Sequence, residues 1–264
     1  MSLTRVRVRR ERPTALAWAL ALAATMLVVY LLTLQADRTE AVESVSAAPR
    51  VTREIRFEAL EWWCVSMAEC ASAEEARLLA SGYTARGAAG CVARMGDSWN
   101  VLGAAYDGER EARRIAERLR TEEGLSAEVL PLGADPLRLR ITAPEKQIEA
   151  IAAADATLRA QERQLGQLAR QLDRGEAQPE GAKTLCALAS DEAEETCRAL
   201  KEIPGAAENR LCAGLIEALD ALSRQQDTFA HSGQIAAASL SGMARCIQVE
   251  TLLRHRELLQ APAG

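Results

Sequence analysis

Two stretches of the chain repeat one pattern, and this repetition limits the possible folds more than any other feature. The segments WCVSMAECASAEEA (63–76) and WNVLGAAYDGEREA (99–112) each begin with tryptophan and run through a β-prone stretch and a small-residue turn. Each then ends in an acidic helix start. A duplicated strand–helix unit predicts a pseudo-symmetric four-stranded sheet with two helices on one face. We expect that unit to occupy residues 55–143.

The elements within 55–143 follow the order β-α-β twice. One helix is predicted at 72–81, where Ser72 and Glu75 form a capping-box pattern. A second, strongly amphipathic helix is predicted at 109–121 and ends at Gly124. The predicted strands are 62–67, 87–95, 99–102 and 126–132, with an appended strand at 137–142. The fold class is therefore α+β, with a ferredoxin-like βαββαβ arrangement.

This duplicated pattern resembles the SPOR domain, a cell-wall-binding module of bacterial division and sporulation proteins. The family's first strand signature corresponds to residues 64–70, with Ala76 on the helix that follows. Its second signature corresponds to 99–106, with Ala112 on the next helix. The resemblance covers about 80 of the 264 residues. It implies a SPOR-type fold that binds peptidoglycan glycan strands lacking stem peptides along the open sheet face, without catalysis.

A glycan site on that face needs aromatic rings for the C–H faces of sugars and short polar side chains for their hydroxyls. By resemblance, the positions that match the family's contacts are Ser66, Glu69, Trp99 and Asn100. Trp63 adds an aromatic ring close to the first signature. The alternative for each tryptophan is that it lies in the core of the sheet.

Residues 13–36 contain no charged side chain and predict a single transmembrane helix. Five arginines in residues 1–12 precede this run, so the positive-inside rule places the N-terminus in the cytoplasm and the bulk of the chain outside the cell membrane. The polar residues 37–54 predict a tether. A cleaved signal peptide is the alternative, with VSAA at 45–48 as its cleavage site.

Residues 144–264 predict an antiparallel helical bundle with four helices joined by short connections. Ile151, Leu158, Leu165 and Leu172 recur every seven residues in the first of them. The remaining helices are predicted at 181–202, 206–225 and 234–260.

Four cysteines of the predicted bundle are candidates for disulfides, because disulfides persist outside the cytoplasmic membrane. They allow three pairings, and their spacing does not choose between these: Cys186, Cys197, Cys212 and Cys246. No C-x-x-C is present, and His231 and His255 are 24 residues apart. We therefore predict no metal site and no cofactor.

The same scarcity of histidine argues against an enzyme, because a Ser–His or Cys–His catalytic centre needs a histidine beside its nucleophile and the chain has only two. The chain also lacks H-E-x-x-H, G-x-S-x-G and P-loop motifs. The five N-terminal arginines, set against Glu11, leave the rest of the chain with a formal charge of −9. An acidic body argues against nucleic-acid binding.

The sequence thus predicts a membrane-anchored, non-catalytic peptidoglycan-binding protein that acts in division or sporulation and meets other envelope or divisome proteins. The alternative is an envelope scaffold whose SPOR-like fold no longer binds glycan. Four departures from the family signatures motivate this alternative: Ser66 in place of glutamine, Ala68 and Ala104 in place of glycine, and Ala105 in place of proline.

Overall fold

The computed structural model describes residues 49–84 and 86–260, which form six strands and six helices. The predicted α+β class is confirmed. In chain order the elements are β1 (Arg50–Phe57), β2 (Leu60–Cys70), α1 (Ala73–Thr84), β3 (Cys91–Met95), β4 (Ser98–Tyr106), α2 (Glu109–Glu123), β5 (Glu128–Ala134), β6 (Leu137–Pro144), α3 (Glu145–Asp173), α4 (Pro179–Lys201), α5 (Arg210–Ala230) and α6 (Ala237–Gln260).

Four of the strands form one antiparallel sheet in the order β3-β4-β2-β5. The chain connects them as β2-α1-β3-β4-α2-β5, so the second strand–helix–strand unit interleaves with the first, as in a split βαβ arrangement. The duplicated pattern of the sequence therefore corresponds to two interleaved halves of one sheet.

The strands β1 and β6 pair with each other in a separate two-stranded sheet. The strand β1 begins within the residues assigned from the sequence to the tether. In it Val51, Ile55 and Phe57 alternate with charged residues, and Ile55 and Phe57 are buried. A period of two with one buried side explains why this polar stretch forms a strand.

The helices α1 and α2 lie on one face of the four-stranded sheet, where they form two small and separate apolar clusters. Pairs of alanines one turn apart let each helix approach the strands closely: Ala76 and Ala80 on α1, Ala112 and Ala116 on α2. All four alanines are buried. We call this side of the sheet the alanine face.

The opposite face of the sheet, which we predicted from the sequence to be uncovered, is covered by the C-terminal helices. The helix α6 packs across β3, β4 and β5. Trp62, Leu102 and Leu132 belong to one continuous core cluster with the buried residues of α3, α4, α5 and α6. We call this side the bundle face. The predicted boundary at 143/144 falls one residue before the end of β6, and the core is continuous across it.

The backbone of α6 comes close to the backbone of the segment that leads into β3. A Cβ added at Gly242 of α6 would lie 3.1 Å from the Cα of Gly87, in the segment that leads into β3. Arg245, one turn further along α6, donates a hydrogen bond to the carbonyl oxygen of Gly87 at 2.9 Å. The absence of a side chain at Gly242 therefore sets how closely α6 can lie against this segment.

The predicted membrane anchor at 13–36 lies outside the described residues, as do the basic tail at 1–12 and most of the tether. Within 49–84 and 86–260, every helix falls short of the length and apolar character that crossing a bilayer requires.

Candidate functional site

Two of the five predicted glycan contacts, Ser66 and Asn100, meet inside the protein. They lie on the neighbouring strands β2 and β4, and the Oγ of Ser66 donates a hydrogen bond to Oδ1 of Asn100 at 2.8 Å. Only 3% of Ser66 and 4% of Asn100 is exposed. The Nδ2 of Asn100 donates in turn to the Oγ of Ser98 at 3.2 Å. These polar groups satisfy one another and are not presented to a sugar.

The two tryptophans of the predicted site lie at opposite ends of the β2–β4 pair. Trp63 is opposite Tyr106, whereas Trp99 is opposite Cys70. Both rings are half-buried on the alanine face, where Trp63 packs in the cluster beneath α2 and Trp99 in the cluster beneath α1. At roughly 3.3 Å per residue, seven positions along β2 separate them by about 20 Å.

Glu69 is the remaining member of the predicted set, and it is exposed on β2. The structure therefore does not bring the five residues together on one accessible surface. Two are buried against each other, two pack beneath separate helices, and one is exposed by itself. The correction has a simple cause: α6 covers the bundle face of the sheet, and on the alanine face Trp63 and Trp99 pack beneath different helices, so these side chains do not gather on one surface.

A polar hollow lies at the junction of α2, the end of α3, and α6. Tyr106 forms part of its wall, and its other lining includes Ile115, Glu111 and Asp173. Five arginines surround it, and we call it the arginine groove: Arg114, Arg118, Arg170, Arg174 and Arg245. Sequence spacing could not reveal this cluster, because the arginines come from three helices that are distant along the chain.

Some of the groove's positive charge is already neutralised. Arg245 forms an ion pair with Asp173, and Arg114 lies 3.7 Å from Glu111. In the described part of the chain, by contrast, no carboxylate comes within ion-pair distance of Arg118 or Arg170. A guanidinium is always charged and presents a planar fork of donors, which suits it to bind carboxylates in pairs of hydrogen bonds.

The groove continues from Tyr106 and Arg118 towards the strands between α1 and α2. Met67 and Gly103 line this extension, and a Cβ at Gly103 would come within 2.5 Å of the Sδ of Met67. Burial raises the pKa of Tyr106, so its hydroxyl stays protonated at neutral pH. The site thus offers fixed positive charge and an apolar floor, which suits binding and not proton transfer.

A second concentration of charge lies in the core of the helical bundle. The Nδ1 of His255 is 2.7 Å from Oε1 of Glu162, and its Nε2 is 2.9 Å from Oδ1 of Asp155. His255 is fully buried. Burial alone would lower the pKa of His255, but the hydrogen bonds to Asp155 and Glu162 outweigh it and raise that pKa to about 9. The ring is therefore a buried imidazolium at neutral pH.

This buried network also reaches the sheet layer. The Nε of Arg159 donates to Oδ2 of Asp155 at 2.9 Å, and its terminal nitrogens donate to the carbonyl oxygens of Glu58 and Ala59, between β1 and β2. Burial raises the pKa of Asp155, yet hydrogen bonds from His255 and Arg159 bring it below its ordinary value. Because His255 is closed to solvent, we assign this network to structure and not to chemistry on a ligand.

The seven cysteines all lie in the described residues, and all are free thiols. Cys186, Cys197 and Cys212 are buried, and burial raises the pKa of the Cys186 thiol to about 12. The structure therefore contains no disulfide between any two of the four bundle cysteines named in the sequence analysis. Cys246 lies instead beside a cysteine of the sheet, Cys91, with 3.4 Å between the two sulfur atoms.

In comparisons with known proteins, no family model, curated protein or solved structure matches the chain. The SPOR resemblance stays a prediction from the two strand signatures. Proposals about function draw on the surfaces and charges of the described residues.

Proposed function

We propose that the protein is a non-catalytic envelope scaffold that holds an acidic segment of a partner protein in the arginine groove. One observation carries this choice over wall binding. The sheet face that would hold a glycan is covered by α6, and Ser66 and Asn100 are buried inside the protein. The transmembrane helix predicted at 13–36 would keep the scaffold at the outer surface of the cell membrane.

A glycan could reach the bundle face only if α6 left the sheet. That movement would expose Trp62, Leu102 and Leu132, which are all buried in the continuous core. Exposing a large apolar side chain costs roughly 1.5–3 kcal/mol, so three of them already exceed the binding energy of a weak sugar contact. The alanine face supports no such site either, because its tryptophans are half-buried beneath different helices.

The charge of the groove selects an acidic occupant. The chain beyond its basic tail is acidic overall, so five arginines around one hollow form a local positive field on a protein that otherwise repels anions. Such a field accelerates and orients association, and added salt weakens it.

The density of that charge favours a protein segment over a wall glycan. In a glycan strand stripped of its stem peptides, alternate sugars each carry one carboxylate, whereas consecutive Asp and Glu residues present one on every residue. Arg118 and Arg170, which lack ion-pair partners among the described residues, are the side chains that would engage those carboxylates.

Binding of a fluorescent peptide of eight glutamates to the purified full chain tests this proposal, with an octaglutamine peptide as the probe control. We expect the acidic peptide to bind with an affinity that falls as salt is added. The double variant Arg118→Glu with Arg170→Glu should weaken binding at least about tenfold, which is about 1.4 kcal/mol. Arg77→Glu, on the exposed surface of α1 and outside the groove, should leave it within about twofold.

If Arg77→Glu and the groove variant weakened peptide binding equally, the loss would come from the change in net charge, and this result would contradict a site in the groove. In cells, cross-linking through the groove should capture proteins that stay attached after the wall has been digested. Cross-links that disappear on wall digestion would contradict a protein partner.

Peptidoglycan binding at a septum remains a second proposal, supported by the order β2-α1-β3-β4-α2-β5 and the strand order β3-β4-β2-β5, which agree with the SPOR resemblance. Its test is a pull-down with glycan strands stripped of stem peptides. The scaffold proposal predicts no retention of the full chain on such strands. Retention that is lost in Trp99→Ala would favour the wall and overturn the scaffold.

A further inference from the structure

Three potential metal ligands meet where the edge strand β3 lies against α6. Cys91 begins β3, and Cys246 and Glu250 lie one turn apart on α6, so both point the same way from the helix. The sulfur of Cys91 is 3.4 Å from that of Cys246, and the sulfur of Cys246 is 3.6 Å from Oε1 of Glu250. All three ligand atoms lie within 4.8 Å of one another.

We propose that Cys91, Cys246 and Glu250 bind a zinc-type divalent cation that joins the sheet to α6. Tetrahedral zinc holds thiolate sulfur at about 2.3 Å and carboxylate oxygen at about 2.0–2.2 Å, which places neighbouring ligand atoms roughly 3.5–3.8 Å apart. The two separations observed differ from that range by no more than a few tenths of an ångström. The third separation, between Cys91 and Glu250, is no more than 4.8 Å, so movements of about 1 Å or less would bring the three ligand atoms onto the ion.

A disulfide is the competing use of the same two sulfurs, and it fits the geometry less well. Its bond is about 2.05 Å long, so the sulfurs of Cys91 and Cys246 would have to approach each other by more than 1 Å. A disulfide also gives no role to Glu250.

The surroundings of Glu250 support a ligand role for its carboxylate. Gln225 on α5 donates its side-chain amide to Oε2 of Glu250, while Oε1 is the oxygen nearest the sulfur of Cys246. An outer hydrogen bond of this kind orients a metal-binding carboxylate. Two thiolates select zinc over the hard cations magnesium and calcium.

Access and stability agree with an ion at this position. Cys91 is buried, whereas Cys246 and Glu250 are half-buried, so the site lies at the rim of the core, with a fourth position open to water. An ion held from both sides would bind only when α6 is docked on the sheet. It would therefore raise the free energy of unfolding by linkage.

This inference is independent of the proposed function, since it involves no residue of the arginine groove.

Titration of the reduced, metal-free full chain with cobalt(II) tests the site, because cobalt substitutes for zinc and reports its ligands by absorption. We expect one cobalt per chain, with near-ultraviolet thiolate-to-metal charge transfer and the visible bands of a tetrahedral ion, and displacement by zinc. Cys246→Ser should remove the charge-transfer band and weaken binding at least about tenfold. Glu250→Gln should weaken binding and keep the band.

The matched control is Cys186→Ser, which removes a buried thiol of α4 and should change neither the stoichiometry nor the spectrum. Zinc should raise the melting temperature of the wild type and of Cys186→Ser but not that of Cys246→Ser. Because Cys246 is only half-buried, its serine variant is a safer probe of the site than a variant of Cys91.

Three results would overturn the proposal. The reduced chain could bind no cobalt, or Cys246→Ser could retain the full charge-transfer band. Alternatively, the chain isolated without reductant could show five free thiols of its seven and a Cys91–Cys246 cross-linked peptide, and bind no cobalt after reduction. That last result would assign the two cysteines to a redox cross-link.

Discussion

The two faces of the four-stranded sheet are packed in different ways. On the alanine face, α1 and α2 contribute small side chains to two separate clusters, while on the bundle face Trp62, Leu102 and Leu132 join one core that extends through all four C-terminal helices. Buried apolar area is the main stabilising contribution in a fold, and alanine offers little of it. The helices of the repeated unit thus complete its topology, but most of its stability comes from the bundle.

The bundle also adds something that the alanine face lacks, a buried set of charges with contacts to both layers. His255 joins α6 to α3 through Asp155 and Glu162, and Arg159 extends the set to the backbone between β1 and β2. Such a network constrains geometry more than it adds stability, because removing water from charges offsets much of their attraction. Removing His255, however, leaves the buried carboxylate of Glu162 without its cation.

The largest effect we expect comes from removing the bundle. A fragment of residues 49–143 keeps the repeated unit and loses every bundle-side partner of Trp62 and Leu102. It should show no cooperative unfolding transition in urea when followed by far-ultraviolet circular dichroism. The fragment 49–260 should unfold cooperatively, and a sharp transition in the shorter fragment would show that the alanine face suffices.

Replacing His255 should have the next largest effect. His255→Phe leaves Glu162 buried without a cation and Asp155 with Arg159 alone, and we expect a loss of about 3–5 kcal/mol in the free energy of unfolding, measured by chemical denaturation. His231→Gln is the control, because that imidazole is 76% exposed and should change stability by less than about 0.5 kcal/mol. Similar losses in the two variants would contradict a structural role for the buried network.

A leucine-to-alanine substitution should cost more stability on the bundle face than on the alanine face. Leu132→Ala removes a fully buried side chain from the bundle face and should cost about 2–5 kcal/mol. Leu119→Ala removes a half-buried side chain of α2 from the alanine face and should cost no more than about 1 kcal/mol. Differential scanning calorimetry can rank the two, and equal costs would refute the asymmetry.

The smallest effect is a dependence of stability on pH. The pKa of His255 is raised from 6.5 to about 9, so its stabilisation is complete below pH 6.5 and is lost as the pH rises through 9, at about 1.4 kcal/mol per unit. Asp155, with a lowered pKa, contributes above pH 3.8 and loses that contribution as the pH falls. Urea denaturation at pH 5, 7 and 9 should show the alkaline loss, about 2–3 kcal/mol, in the wild type only. A parallel loss in His255→Phe would assign it to other groups.

Local features of the fold were predictable because they depend on neighbouring residues. The Oγ of Ser72 accepts the backbone N–H of Glu75 at 3.2 Å, as the predicted cap requires. Gly124 ends α2 in the left-handed conformation, with φ of 65°. The four apolar residues spaced by seven in 144–174 are all buried on α3.

The docking of α6 on the sheet was not predictable in this way, because the matching residues are more than a hundred positions apart. The alternation of side chains along a strand, by contrast, bears on the predicted site from the sequence alone. Trp99 and Asn100 are neighbours on β4, and neighbouring side chains of a strand point to opposite faces of the sheet. A period of two therefore already argued against one shared surface.

The position of α6 in the chain has a consequence for biosynthesis. It is the last of the described helices, so a nascent chain exposes the hydrophobic underside of its strands until residues 237–260 have emerged. Contacts between residues near 87 and 242 close a very large loop, which slows folding and prolongs the time in which the strands can associate with other chains. The bundle face of the sheet therefore stays without its cover until the last of the described helices has been made.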